Sequence, residues 1–281
     1  MHNFNDISLE KVERFIQKIE INRGKTFDEP PMQVLQKYGL VRDDKITFGA
    51  YLLFVQDFCL ISGIQAGRFK TSTDIIDSIS LNVDLFTEID ELLIFIRKHF
   101  MVEYIITGNP QREERYDYPL EAIREIVLNM IVHRDYRDSS DSVIKIFDDR
   151  IVFFNPGDLY DDLTIEQLMS NCYQSKTRNK LIALMFKECG LIEKYGSGIE
   201  RIKKLFTAHG LKEPKFEESQ KGFKVTVNKE TTQETTNKLS TKEKILLLIA
   251  QNNKITRVEL SLKTGVSESA IKQHLATLKK E

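Results

Sequence analysis

Between Lys229 and Ser240 the chain reads Lys-Glu-Thr-Thr-Gln-Glu-Thr-Thr-Asn-Lys-Leu-Ser, twelve residues with one apolar side chain. A segment of that composition cannot bury a face, so it reads as a flexible linker that divides the 281-residue chain. Charge divides at the same place. Residues 241–281 hold eight basic and four acidic side chains, a surplus of +4, and the whole chain carries −1, which leaves −5 for residues 1–240. A small basic module is thus attached to a larger acidic body. The body is long enough to bury a sizeable core, and a chain that is 41% hydrophobic and 30% charged is globular, not disordered. Apolar runs such as Tyr51 to Val55 are far too short to cross a bilayer. Met1-His2-Asn3-Phe4-Asn5-Asp6 lacks the basic and apolar parts of a secretory signal. Cys59, Cys172 and Cys189 have neither paired nor metal-type spacing. We therefore expect a cytoplasmic protein with reduced thiols and no membrane partner.

In the basic module, Ile245, Leu246, Leu248 and Ile249 give a helical apolar face preceded by Ser240-Thr241 as a cap. Thr256 caps a second helix carrying Val258, Leu260 and Leu262, which Gly265 ends. Ser267 caps a third, with Ala270, Ile271, Leu275 and Leu278 facing inward. Thr256 to Leu278 resembles the helix-turn-helix of winged-helix transcription regulators. Ser267, Ser269, Lys272, Gln273 and Lys279 are the candidate contacts to double-stranded DNA. A three-helix packing or dimerisation module with a solvated lysine face is the alternative.

In the body, Tyr118 to Tyr136 is the most informative stretch. Pro119 suits a first helical position, and Ile123, Ile126, Val127, Met130 and Ile131 form a core-facing stripe. At about 100° per residue, Glu125, Asn129 and His133 fall on the other side, one turn apart. A carboxylate, a carboxamide and an imidazole on one face suit a metal–nucleotide site, and a solvated polar face is the plainer reading. Ser142–Phe147 and Arg150–Phe154 read as a hairpin that runs into Asn155-Pro156-Gly157-Asp158. A loop-prone stretch, 160–179, contains Lys176 and Arg178. A helix from Lys180 to Glu188 follows, and then Gly196-Ser197-Gly198 opens another helix, a form that presents backbone N–H groups to phosphate. Phe223, Val225 and Val227 alternate as a half-buried strand.

Taken in order, residues 118–228 resemble a divergent GHKL-type ATP-binding domain. Glu125 and Asn129 match the Glu-x-x-x-Asn of that family's first box. The resemblance implies that Glu125 activates water and that Asn129 binds Mg²⁺. It also implies that Asn129, His133, Asn155, Gly157, Lys176, Arg178, Gly196, Ser197 and Gly198 hold ATP. More closely, His133-Arg134-Asp135-Tyr136, Asn155-Pro156-Gly157, Arg178-Asn179 and Gly196-Ser197-Gly198-Ile199 are similar to a group of predicted transcriptional regulators, often labelled RecG-like helicases. That group joins a Schlafen-AlbA-type domain, this ATPase-like domain and a C-terminal helix-turn-helix. It leads us to expect an AlbA-type domain ahead of residue 1 and a β-wing beyond Glu281. Asn155 departs from the family, which has an adenine-contacting Asp there, and the glycine-rich box has two glycines where active members often have three.

The expected fold is α/β (α+β): an N-terminal α/β region at 1–117, a GHKL-like sandwich at 118–228, a linker at 229–240 and an all-α helix-turn-helix at 241–281. Within the first region, Leu9–Ile21, Met32–Tyr38 and Val83–Phe100 read as helices and Met101–Thr107 as a strand. Arg68 and Lys70 read as a solvated strand edge. No Gly-x-x-x-x-Gly-Lys-Ser/Thr is present, and Gly63 to Lys70 has the wrong spacing, so a P-loop helicase is excluded. The function expected is a homodimeric regulator that binds DNA and ATP·Mg²⁺. An inactive interaction scaffold and an ATP-hydrolysing enzyme acting on nucleic acid are the alternatives.

Overall fold

The computed structural model describes residues 3–105, 113–170, 176–192, 197–229, 241–251 and 255–278. Gly196, Lys279, Cys172 and linker residues 230–240 lie outside the described residues. The chain forms two compact units, Met1–Lys229 and Glu230–Glu281.

The first unit opens with helices α1 (Leu9–Arg23) and α2 (Pro31–Lys37), a two-residue hairpin β1–β2 (Val41–Arg42, Lys45–Ile46) and α3 (Phe48–Phe54). Strands β3 (Ile64–Phe69) and β4 (Ile75–Leu81) follow, then α4 (Leu85–Lys98) and a hairpin of β5 (Val102–Ile105) and β6 (Glu113–Tyr116). Next come α5 (Leu120–His133), β7 (Ser142–Ile146), β8 (Arg150–Pro156), α6 (Ile165–Met169), α7 (Lys180–Glu188), α8 (Gly198–Ala208), β9 (Lys215–Ser219) and β10 (Gly222–Asn228). One six-stranded sheet has the order β4-β3-β7-β8-β10-β9. The β3–β7 pair is parallel and its other pairs are antiparallel. Residues 1–117 and 118–228, read as separate regions in the sequence, therefore share one sheet and one hydrophobic core.

The apolar stripe of α5 explains the layering. Ile123, Ile126, Val127, Met130 and Ile131 are buried together with Ile144, Ile151, Phe153, Val225 and Val227 of the sheet. Alternation along β7 and β8 sends every second side chain to that face. At about 1.5–3 kcal/mol for each large side chain removed from water, this layer supplies much of the driving force.

Several expectations need correction. Pro119 is the N-cap and not the first helical residue, so α5 begins at Leu120. The stretch 160–179 contains α6, whose capping box pairs Thr164 with Gln167. β3 is an interior strand, so Arg68 is not on an edge: it donates to the carbonyl of Phe69 at 2.9 Å and is ion-paired with Asp148. In the second unit, helices α9 (Thr241–Gln251), α10 (Arg257–Thr264) and α11 (Glu268–Leu278) pack around Ile245, Leu260 and Ile271. Thr256 caps α10 through a capping box with Glu259, and Gly265 adopts the left-handed conformation that ends it. Leu246, Val258 and Leu262 are exposed, against expectation. Val258, Leu260 and Leu262 are spaced by two, a strand period, so a helix that buries Leu260 turns the other two away.

A buried polar cluster joins the halves of the first unit. Arg134, at the end of α5, donates to the carbonyls of Ser62 (2.5 Å), Gly63 (2.7 Å) and Ser140 (2.9 Å). Beside it Glu88 of α4 accepts from the Ser62 hydroxyl at 2.6 Å. Burial pushes the Glu88 carboxyl up to about 8, against the Ser62 hydrogen bond and the Arg134 charge. Because that value lies above the ordinary 4.5, the stability it confers is complete below pH 4.5 and lost as the pH rises through about 8. Glu88→Gln keeps the acceptor and cannot ionise. We predict that urea unfolding at about pH 5 and about pH 8.5 shows a smaller loss of stability in the variant than in the wild type. Equal losses would contradict the assignment.

Candidate functional site

Helices α5, α7 and α8 and the inner ends of β8 and β10 enclose a cavity of about 370 Å³, within the range of small-molecule sites. Each wall has a local cause. On α5, the four-residue spacing carries Glu125, Asn129 and His133 along the side that lines the cavity. Glu125 is buried, so this is not a solvated polar face. On β8, Asn155 is buried and its side-chain amide oxygen Oδ1 accepts from the Ser142 hydroxyl at 2.8 Å. The chain then turns at Gly157, whose φ of +103° suits glycine, and a Cβ there would meet that of Asp135 at 2.9 Å. The turn is tied back to the end of α5 by Asp135 N–H donating to the Pro156 carbonyl at 3.0 Å.

The fourth wall is the first turn of α8. A Cβ on Gly198 would come within 2.6 Å of Glu125 Oε1 and 3.3 Å of Asn129 Nδ2, so glycine lets α8 approach this face of α5 without displacing those side chains. One turn along, Arg201 is ion-paired with Glu125 Oε2. The lining holds four cationic side chains, Lys176, Lys180, Lys187 and Arg201, against two carboxylates, Glu125 and Asp158. Lys176 is ion-paired with Asp161. The remaining wall is apolar and aromatic, with Phe153, Phe216, Phe223 and Val225 from the sheet. The arrangement suits a ligand with a flat apolar part and an anionic part. Among the described residues no group of three or more His, Cys, Asp or Glu is placed to hold a metal ion.

Glu125, Asn129, His133, Asn155, Gly157, Lys176, Ser197 and Gly198, all expected as site residues, thus line one cavity. Arg178 does not line it. Its guanidinium donates to Asp135 (3.2 Å) and the Asp158 carbonyl (2.6 Å) and lies over the Tyr160 ring. Asn179 beside it donates to the carbonyls of Val132 (3.0 Å) and Arg134 (2.7 Å). This pair clamps the end of α5 to the Gly157 turn and so shapes the cavity from behind. Arg201, Lys180 and Lys187 were not anticipated. The available signal was spacing: Arg201 lies three residues after Gly198, on the same side of α8.

On the second unit, Ser267, Ser269, Lys272 and Gln273 are exposed at the start and on the outer side of α11. The Ser267 and Ser269 hydroxyls lie 3.1 Å apart.

Comparison with known proteins agrees with this division. Residues 140–227 match the model of an ATPase-like family described as "Putative ATP-dependent DNA helicase recG C-terminal". Residues 239–281 match that of the winged helix-turn-helix DNA-binding family. The chain thus combines an ATPase-like domain with a winged helix-turn-helix. The first match begins beyond α5, so Glu125, Asn129 and His133 fall outside it. No curated protein matches the chain. Among solved structures, the DIP2311 protein from Corynebacterium diphtheriae is similar in fold, with a TM-score of 0.70 and 18% identity. The likeness covers 99% of this chain and 58% of that one, so the chain spans a little over half the length of its structural relative. No helix among the described residues is long and apolar enough to cross a membrane.

His133 provides a test of the cavity wall. Burial, with the positive charge of Arg178, lowers its pKa from 6.5 to about 4, so the imidazole is neutral near pH 7. The unfolded chain protonates first; the stability from the neutral ring is complete above pH 6.5 and lost as the pH falls through about 4. We predict that His133→Asn loses less stability than the wild type over that interval, by on the order of 1–3 kcal/mol in denaturant titrations. Parallel pH profiles would contradict it.

Proposed function

We propose that the cavity of the first unit binds a nucleotide, ATP with Mg²⁺, and that the second unit binds double-stranded DNA, so that the protein acts as a nucleotide-sensitive DNA-binding regulator. One observation carries the nucleotide half. Residues from three separate segments, Asn129 on α5, Asn155 on β8 and Gly198 on α8, meet at one cavity with an aromatic wall and an excess of cations. The aromatic wall suits a base, and Lys180, Lys187 and Arg201 suit phosphates. The match of residues 140–227 to an ATPase-like family supports the same reading.

The donor set fits a nucleotide-borne Mg²⁺. Asn129 offers a carboxamide oxygen, and Mg²⁺ typically takes one or two protein oxygens and completes its shell with phosphates and water. When bound, the ion would neutralise phosphate charge beside Asn129. Binding is favoured over turnover, because Glu125, the residue suited to activate water, is ion-paired with Arg201. In the DNA half, the winged helix-turn-helix match and the exposed Lys272 on α11 support major-groove docking. A homodimer would supply the geometry for reading two half-sites, because the linker leaves the module free.

Calorimetric titration of the full chain with Mg·ATP should show saturable binding, weakened by Lys180→Ala and made Mg²⁺-independent by Asn129→Ala. No heat at millimolar nucleotide would refute the nucleotide reading. For the DNA half, Lys272→Ala should weaken duplex binding about equally across sequences and reduce the slope of log affinity against log salt by about 1. An unchanged slope would move the DNA surface elsewhere.

A further inference from the structure

Each oxygen of Glu125 has a neighbour on α8. Oε2 is ion-paired with Arg201, and Oε1 packs against Gly198 at the first turn of α8. The carboxylate is the deeper partner, with 8% of its side chain exposed against 28% for Arg201. Glu125 thus occupies the position an anion would take: beside a guanidinium and near the N-terminal end of an eleven-residue helix. A phosphate group offers the same fork-shaped set of oxygens with more charge, and guanidinium binds it by the same geometry. Lys180 and Lys187 on α7 line the same cavity and add to the attraction.

We infer that Glu125 and the phosphate of a ligand compete for Arg201, so that Arg201 is the positioning residue for phosphate and Glu125 is its built-in competitor. The inference rests on the nucleotide reading of the cavity and sharpens it. It also inverts the simplest expectation for Glu125. A residue that only activates water leaves affinity unchanged when neutralised, whereas a competitor for Arg201 raises it. The carboxylate then sets a threshold, because a ligand must carry enough negative charge to displace it, so polyphosphates are selected over uncharged nucleosides.

The test is titration of the full chain, as wild type, Glu125→Gln and Arg201→Ala, with adenosine, Mg·ATP and sodium tripolyphosphate, read by calorimetry. Glu125→Gln should bind Mg·ATP and tripolyphosphate about tenfold more tightly than the wild type, the scale of one charge-assisted hydrogen bond. Arg201→Ala should bind both at least as many times more weakly, and adenosine should be unaffected in either variant. Mg·ATP binding that Glu125→Gln leaves unchanged or weakens would overturn the competition while the nucleotide reading stands. Tripolyphosphate binding strengthened by Glu125→Gln, with ATP bound no better than tripolyphosphate, would keep the competition and remove the nucleotide. Absence of binding by either polyphosphate would overturn both. Should Glu125→Gln fail to fold by circular dichroism, the Arg201→Ala arm decides: unchanged polyphosphate affinity there overturns the inference.

Discussion

Arg134, with 2% exposure, ties the N-terminal strands of the first unit to its C-terminal ones. Its donors reach the carbonyls of Ser62 and Gly63, just before β3, and of Ser140, just before β7. Those strands form the parallel pair of the sheet, and Ser142 N–H donates to Gly63 at its start. A buried cation without such acceptors would cost several kcal/mol. The chain must therefore bring the end of α5 to the point where the N-terminal strands join the C-terminal ones. Asp135 and Tyr136 continue the same junction: Asp135 N–H holds the Pro156 carbonyl, and the Tyr136 hydroxyl donates to the Ile131 carbonyl at 3.0 Å. With α5 fixed at that end, Glu125, Asn129 and His133 are fixed along the cavity.

The cavity follows from this placement and from the absence of a side chain at one residue. Gly198 lets α8 close on α5, which brings Arg201 to Glu125 and completes a wall of opposite charge beside the aromatic end of the sheet. The clamp of Arg178 and Asn179 holds α7 and the Gly157 turn against the same end of α5. The motif His133-Arg134-Asp135-Tyr136 is thus mainly architectural, with His133 the member that lines the cavity.

Much of this was legible in the sequence. The stripe of α5, the 142–154 hairpin, the helix from Lys180 and the Thr256 and Gly265 punctuation of the tail are set by local periodicity and capping chemistry, which act over a few residues. What escaped depended on contacts distant in sequence. The pairing of β3 with β7 joins residues 64–68 to 142–146, and nothing local in Arg68 says that its strand is interior. Arg201 meets Glu125 only because α8 docks across α5, so its role had no signal beyond its spacing from Gly198. Val258 and Leu262 are apolar but fall on the opposite side of the helix from Leu260, so apolar character alone does not mark them as core. Among the expected site residues, Arg178 had the right neighbourhood and a different task, holding backbone instead of facing the cavity.

The cavity between α5, β8 and α8 is the proposed nucleotide site. Its most direct test is a crystal structure of the full chain grown with a non-hydrolysable Mg·ATP analogue at saturating concentration. Nucleotide density bounded by Asn129, Asn155 and Gly198 is the expected result. A structure of the same crystals with that cavity empty, or with the nucleotide bound on another surface, would contradict it.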